Sequence, residues 1–336
     1  MRQARDKMIS GVSIIVPLFN KAPYVASTLQ ALIEQLCEAD EILVVDDQSS
    51  DGGAEIARAL LNGAGNRGRV ISLPENVGPA SARNVGARQA KSSHLLFFDA
   101  DDIPSPNLLQ ALRGVIKQYS SVQVFAYQIA SQARGADIQR GSPSNQITAS
   151  LRPPHAFAAD YLKGKTLCTA SSTCVTRDAF FSTNGGFQAG LRFGEDPEFW
   201  ARLSASYSML EIHETLATYR DVKDSLSHSL RGRLGSVNPY VDSLQLLAKQ
   251  HGRLYLQLAR LILFKNLVFS RASGASHSEA SRQISKYQHC LGRRKHLQLR
   301  CVNILPSVIF RKALGFRTKT QIQMRFLGSG RDMATG

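Results

Sequence analysis

The stretch Leu95-Leu96-Phe97-Phe98-Asp99-Ala100-Asp101-Asp102 decides how the rest of the chain is read. Four consecutive apolar residues predict a strand covered on both faces, as in the middle of a parallel sheet. In open α/β sheets ligands gather outside the carboxyl ends of the strands, so three carboxylates reach a ligand position together. Such a density of negative charge is unfavourable unless a cation or hydrogen bonds offset it. Carboxylate oxygens suit a hard divalent ion, Mg2+ or Mn2+, which keeps waters and takes its other ligands from substrate phosphates. The plainer alternative is a polar loop with an Asp N-cap ahead of Pro104, and at this point both stay open.

Upstream, Val12 to Val16 reads as a strand closed by Pro17. Asn20 offers an N-cap to a helix with Pro23 in its first turn, and Val25, Leu29, Leu32 and Leu36 form its apolar stripe. Ile42 to Val45 is a second strand, followed at once by Asp46 and Asp47. A helix over about 53–61, a turn over 63–68 and a strand over 69–73 lead to Asn76-Val77-Gly78, which turns into a helix begun by Pro79. The alternation β-α-β-α-β-α-β with short links predicts a parallel sheet with right-handed crossovers. Downstream the pattern is less regular. It predicts a helix after Pro106, a strand over 122–129, a mobile surface loop over 135–154 and a strand over 168–176. A turn at 184–187, a helix opened by Glu195-Asp196-Pro197 with Asp196 as N-cap, and a strand over 209–219 complete it.

Asp46 and Asp47 end a strand at the same sheet edge as Asp99, where a carboxylate accepts from a base N–H or a ribose hydroxyl. An Asx-turn is the alternative, which Asp51 alone would satisfy. No GxGxxG follows the first strand and no GxxxxGK[ST] occurs, so phosphates fall to metal and side chains. Arg83, early in its helix, reaches a diphosphate or is merely solvated. Asp196 is a helix cap or a general base tuned by Glu195. The eight His make no HExxH or HxH pair, and His228 reads as solvent-exposed rather than as a ligand.

The 336 residues carry a net charge of +15, unevenly placed. Residues 1–230 hold 22 Lys+Arg against 23 Asp+Glu, whereas 231–336 hold 19 against 3. A neutral body therefore carries a basic tail, which implies anionic partners. Five scattered Cys with no CxxC spacing point to a reducing compartment. The first residues lack a signal-peptide core, and no apolar run is long enough to span a bilayer.

Taken together, VSIIVPLFN from Val12, EILVVDDQSSDGG from Glu41, NVGPASARNVGARQA from Asn76, LLFFDADD from Leu95 and GGFQAGLRFGEDPEFWARL from Gly185 resemble the family 2 glycosyltransferases, inverting enzymes of the GT-A fold. The resemblance covers about 12–227 and implies an α/β fold: a mostly parallel, Rossmann-like sheet flanked by helices, here with a basic helical C-terminal extension. It implies a catalytic domain over 1–230, with a nucleotide-sugar half over about 11–105 and an acceptor half over 106–230; the basic tail over 231–336 lies outside the resemblance. By the same resemblance Pro17, Asp47 and Asn76 surround the base, Asp46 and Arg83 support the nucleotide, and Asn20 belongs with these donor contacts. Asp99 meets ribose, Asp101 holds the divalent ion with Asp102 close to both, Glu195 lies on the acceptor side and Asp196 is the general base. Lys223 stands near where many relatives carry a His, and it is a candidate phosphate contact.

The expected partners are a nucleoside-diphosphate sugar, with UDP favoured, and a saccharide or lipid-linked acceptor. The expected place is the cytoplasm, at the inner face of the plasma membrane if the tail binds anionic lipid; packing of the tail on the body is the equal alternative. Nucleic acid is not expected, because the tail has few aromatics and no recognised motif. The rival readings are a sugar-1-phosphate nucleotidyltransferase, which would want a Gly-rich basic loop where PLFNKAPY stands, and a non-catalytic sugar-nucleotide-binding or membrane scaffold protein.

Overall fold

A computed structural model of the chain describes residues 9–132, 147–165, 169–191, 194–222, 240–272 and 276–288. Cys168, Lys223, His228, most of the loop expected over 135–154 and much of the basic tail lie outside them. Two compact units emerge, one within Met1–His155 and Cys168–Val222, the other within Ala156–Leu167 and Lys223–Gly336.

In the first unit, β1 (Ile9–Leu18), β2 (Glu41–Asp46), β3 (Gly68–Ser72) and β4 (Ser92–Phe97) run parallel. They are linked by α1 (Ala22–Ile33), α2 (Gly53–Asn62) and α3 (Pro79–Gln89). Leu95, Leu96, Phe97 and Phe98 are fully buried, as a strand covered on both faces requires. Beyond β4 the sheet becomes mixed. The order among the described residues is β3-β2-β1-β4-β8-β6-β9-β5. Here β5 is Ile103–Pro104, β6 is Val124–Gln132, β8 is Thr173–Thr176 and β9 is Met209–Arg220. β8 lies antiparallel to both β4 and β6, whereas β6 and β9 are parallel. The helix expected after Pro106 is α4 (Leu108–Gln118).

Several local expectations are corrected. Pro17 does not close β1 but lies within it, opposite Val45. Asn20 is not the N-cap of α1; it sits at φ +50, and Lys21 holds the cap position without a side-chain bond. Asp51 does that work from another loop, its Oδ2 accepting from the Ala22 N–H at 2.7 Å. Within the expected surface loop, Ala149–Arg152 forms β7, antiparallel to β9. The strand expected from 168 begins only at Thr173, after a short 3-10 turn over Ala170–Ser172.

α3 lies close against the sheet because Gly86 faces it. A Cβ there would sit 2.5 Å from Ile15 Cγ2 and 3.1 Å from Val45 Cγ2. Gly86→Ala is therefore expected to destabilise the chain by about 1–3 kcal/mol, the usual cost of overpacking, read as a lower urea midpoint. An unchanged midpoint would mean that α3 lifts freely.

The second unit holds α5 (Ala156–Leu162), α8 (Tyr240–His251), α9 (Arg253–Ala272) and α10 (His277–Lys286), while α6 (Arg177–Ser182) and α7 (Glu195–Ser206) belong to the first. α9 packs against α5, α8 and α10. Leu258 and Leu263 are buried, and Leu254, Leu261 and Phe264 are partly exposed. No helix among the described residues is long and apolar enough to cross a membrane.

Candidate functional site

Parallel strands in register bring their carboxyl ends to one edge: Leu18 lies beside Asp46, and Asp46 beside Ser72. Asp46 Oδ1 accepts from the Ser49 N–H at 3.0 Å, shaping the loop after β2. Asp47 turns the other way and grips the loop before α3. Its carboxylate accepts from the N–H groups of Val77 (2.7 Å) and Gly78 (2.9 Å), and the Asn76 amide donates to the Asp47 carbonyl at 3.0 Å. Gly78 adopts φ +85 there, a conformation side chains resist. Asp47 and Asn76 are thus brought together. Asn20, exposed, accepts from the Ser50 N–H at 2.9 Å.

Arg83 is the centre of the site. Only 3% exposed, it donates to Asp99 Oδ1 at 2.6 Å and to Glu195 Oε1 at 2.9 Å, while its guanidinium stands 5.4 Å from the centre of the Phe187 ring. Burial works against its charge, but Asp99 and Glu195 more than offset this and hold its pKa above the ordinary value. Its Nε is buried without a hydrogen-bond partner among the described residues. Of the two sequence alternatives for Arg83, mere solvation does not hold: the side chain is an internal tie between the end of β4 and the start of α7.

Gly194, at φ +77, is the N-cap of α7, so Asp196 is not the cap but lies in the first turn with Glu195 and Glu198. The helix N-terminus favours negative charge there. Asp196 is partly exposed, and its carboxyl is pushed up to about 8 by desolvation and by Glu195, against the pull of Arg83 and with a further push from Asp99. Asn84 clasps the preceding turn, its Nδ2 donating to the Phe187 carbonyl at 2.7 Å and its Oδ1 accepting from the Phe187 N–H at 2.9 Å. Beneath lies an aromatic cluster: Phe187 and Phe199 are 4.5 Å apart, and Trp200 stacks edge-on against both.

The acidic end of β4 separates into three environments. Asp99 pairs with Arg83. Asp101 pairs with Lys21, a residue to which the sequence assigns no role, at 2.5 Å. Burial raises the Asp101 pKa, with Lys21 opposing and Asp99 adding to the shift. Asp102, expected beside the cation, is 2% exposed and bonded inwardly to Ser171 and, at 3.3 Å, to the Arg220 N–H. Burial pushes its carboxyl well above the ordinary range. Among the described residues no group of three or more His, Cys, Asp or Glu is placed to hold a metal ion. Asp99 and Asp101 alone supply hard oxygens, which fits a divalent ion that takes one or two carboxylates and completes its shell with phosphates and water.

Comparison with known proteins agrees with this architecture. The aligned stretches span from 33% to 81% of the length of the first curated relatives. A putative teichuronic acid biosynthesis glycosyltransferase of Bacillus subtilis, TuaG, is 25% identical over 218 residues, 64% of this chain and 81% of that one. Staphylococcus aureus TarS in complex with UDP-GlcNAc superposes with a TM-score of 0.62 at 20% identity, covering 84% of this chain and 80% of that one. The mannosyltransferase PcManGT from Pyrobaculum calidifontis, in complex with GDP-Man and Mn2+, gives 0.55 at 16% identity, covering 94% and 83%. The fold is that of the GT-A enzymes. Residues 13–184 match Glycosyl transferase family 2, and the chain belongs to that family.

Proposed function

We propose that this chain transfers a sugar, with inversion, from a nucleoside-diphosphate sugar to a hydroxyl of a cell-envelope saccharide. The observation that carries the reading is Arg83 held between Asp99 and Glu195, which joins a donor-side carboxylate and the residue next to Asp196 in one buried ion-pair network. Family membership sets aside the nucleotidyltransferase alternative, and the TuaG likeness favours a polysaccharide acceptor.

In this reading Pro17, Asn20, Asp46, Asp47 and Asn76 shape the nucleotide pocket, and Asp99 meets the ribose. Asp101 holds the divalent ion. Asp102, with its inward bonds, keeps the loop in shape. A bound Mg2+ or Mn2+ would neutralise charge on the departing diphosphate. Asp196 accepts the proton of the attacking hydroxyl, and inversion needs no second carboxylate as nucleophile. Arg83 holds Glu195 and Asp99 in place, and through Asp99 supports the nucleotide. Contact of the basic tail with an anionic surface would rest on its charge, 19 Lys+Arg against 3 Asp+Glu over 231–336.

Calorimetric titration of UDP and GDP into the parent chain and Asp101→Ala, with Mn2+ and then with EDTA, tests the donor site. Nucleotide binding that needs Mn2+ and weakens at least tenfold in the variant is expected. Equal binding by both chains in both conditions would refute the site.

A further inference from the structure

Two of the three carboxylates at the end of β4 already face a cation of the chain itself. Arg83 answers Asp99, and Lys21 answers Asp101, both side chains of the latter pair being about 15% exposed. Asp101 is the one ion-pair partner of Lys21 among the described residues. The position of Lys21 is fixed from several directions. Its carbonyl accepts from the N–H groups of Tyr24 and Val25 at 3.0 and 2.9 Å, as the residue before α1. The next residue, Ala22, is held by Asp51. Further along α1 the buried Thr28 hydroxyl sits 3.0 Å from the Ala100 carbonyl and 2.7 Å from that of Asp102, keying the helix to the acidic loop. The ammonium is thereby tethered within reach of one carboxylate.

A lysine ammonium is a compact point charge on a flexible stem, able to leave a partner without disturbing the backbone that carries it. A divalent ion seated on the Asp101 oxygens and an ammonium in contact with the same group repel each other strongly at such separations.

We propose that Lys21 is the resident counter-cation of Asp101, and that Lys21 and the divalent ion are alternative occupants of this carboxylate. This rests on the reading of Asp101 as the cation ligand. The ion enters by displacing the ammonium, which weakens its binding to the free protein. The released ammonium is then available to the anionic diphosphate of the donor, so ion and donor reinforce each other's binding by a reciprocal factor. The empty site is also protected from free divalent ions when no donor is present.

Mn2+ is titrated into the nucleotide-free full chain and followed by the electron paramagnetic resonance signal of the unbound ion. Lys21→Met is expected to bind Mn2+ about tenfold more tightly than the parent, within the ~5–150-fold range of such couplings. Lys21→Arg retains the parental affinity, and Asp101→Asn loses binding. In parallel, amine acetylation of the parent chain read by mass spectrometry shows Lys21 becoming more reactive when Mn2+ is added. If Asp101→Asn binds Mn2+ like the parent, the cation reading falls and this proposal with it. If Asp101→Asn loses Mn2+ while Lys21→Met binds no more tightly and Mn2+ leaves Lys21 reactivity unchanged, the cation reading stands and the proposal alone is overturned.

Discussion

Replacing Asp196 with asparagine is expected to lower turnover about a thousandfold while leaving nucleotide affinity near that of the parent, within the ~10²–10⁴-fold range of one positioned general base. Asparagine keeps the shape and fills the same place in the first turn of α7, but it cannot take a proton. The pH dependence carries the same signature. Desolvation and Glu195 push the Asp196 carboxyl up to about 8, so kcat/KM in the parent rises with pH and levels off only near that value. Stability runs the other way. Between about 4 and about 8 the folded chain keeps a proton that the unfolded chain has released, so this group makes folding less favourable as pH rises through that window. The asparagine variant loses both dependences. Parental turnover in Asp196→Asn would place the base elsewhere.

Replacing Arg83 with methionine carries the second large effect. It leaves Glu195, with 11% of its side chain exposed, and Asp99, with 33% exposed, without their shared cation. Breaking a buried ion pair from one side costs roughly 3–5 kcal/mol, and the partial exposure of Asp99 puts the expected loss near the lower end, about 3 kcal/mol by urea denaturation. The functional change is separable from the loss of stability. Arg83 pulls the Asp196 pKa down, so its removal moves the rising limb of the pH profile to more alkaline values. Lys at this position should not restore the parent, because one ammonium cannot reproduce two hydrogen bonds made by separate nitrogens of a planar fork. A profile unmoved in Arg83→Met would show that Glu195 and Asp196 are positioned without it.

What the sequence displays are features that local pattern controls. The apolar runs before Asp46 and Asp99 predict buried strands, and parallel pairing then dictates that both carboxylates reach one edge. The turn from Asn76 into α3 follows from Gly78 and Pro79. What it conceals is tertiary. Nothing near Arg83 signals a partner 112 residues later. The first turn of α7 resembles an Asp-Pro cap, and only the left-handed Gly194 before it moves the boundary. The cap of α1 comes from Asp51, across a strand and two loops. Ala149–Arg152 lacks the β-branched or aromatic residues that mark strands, and pairing with β9 supplies for β7 what propensity does not. β8, set antiparallel beside β4, makes the sheet mixed for the same reason: pairing partners distant in sequence decide it.

The aromatic cluster under α7 has an optical consequence. Trp200 is the single tryptophan of the chain, fully buried, and it lies one helical turn beyond Asp196. All of the indole emission therefore originates from the helix that carries Glu195 and Asp196, with no background from elsewhere in the protein. Any ligand that shifts this helix against Phe187 registers as a change in emission wavelength or intensity. The unmodified chain thus carries its own fluorophore, in place for stopped-flow measurement of how fast each substrate engages the site.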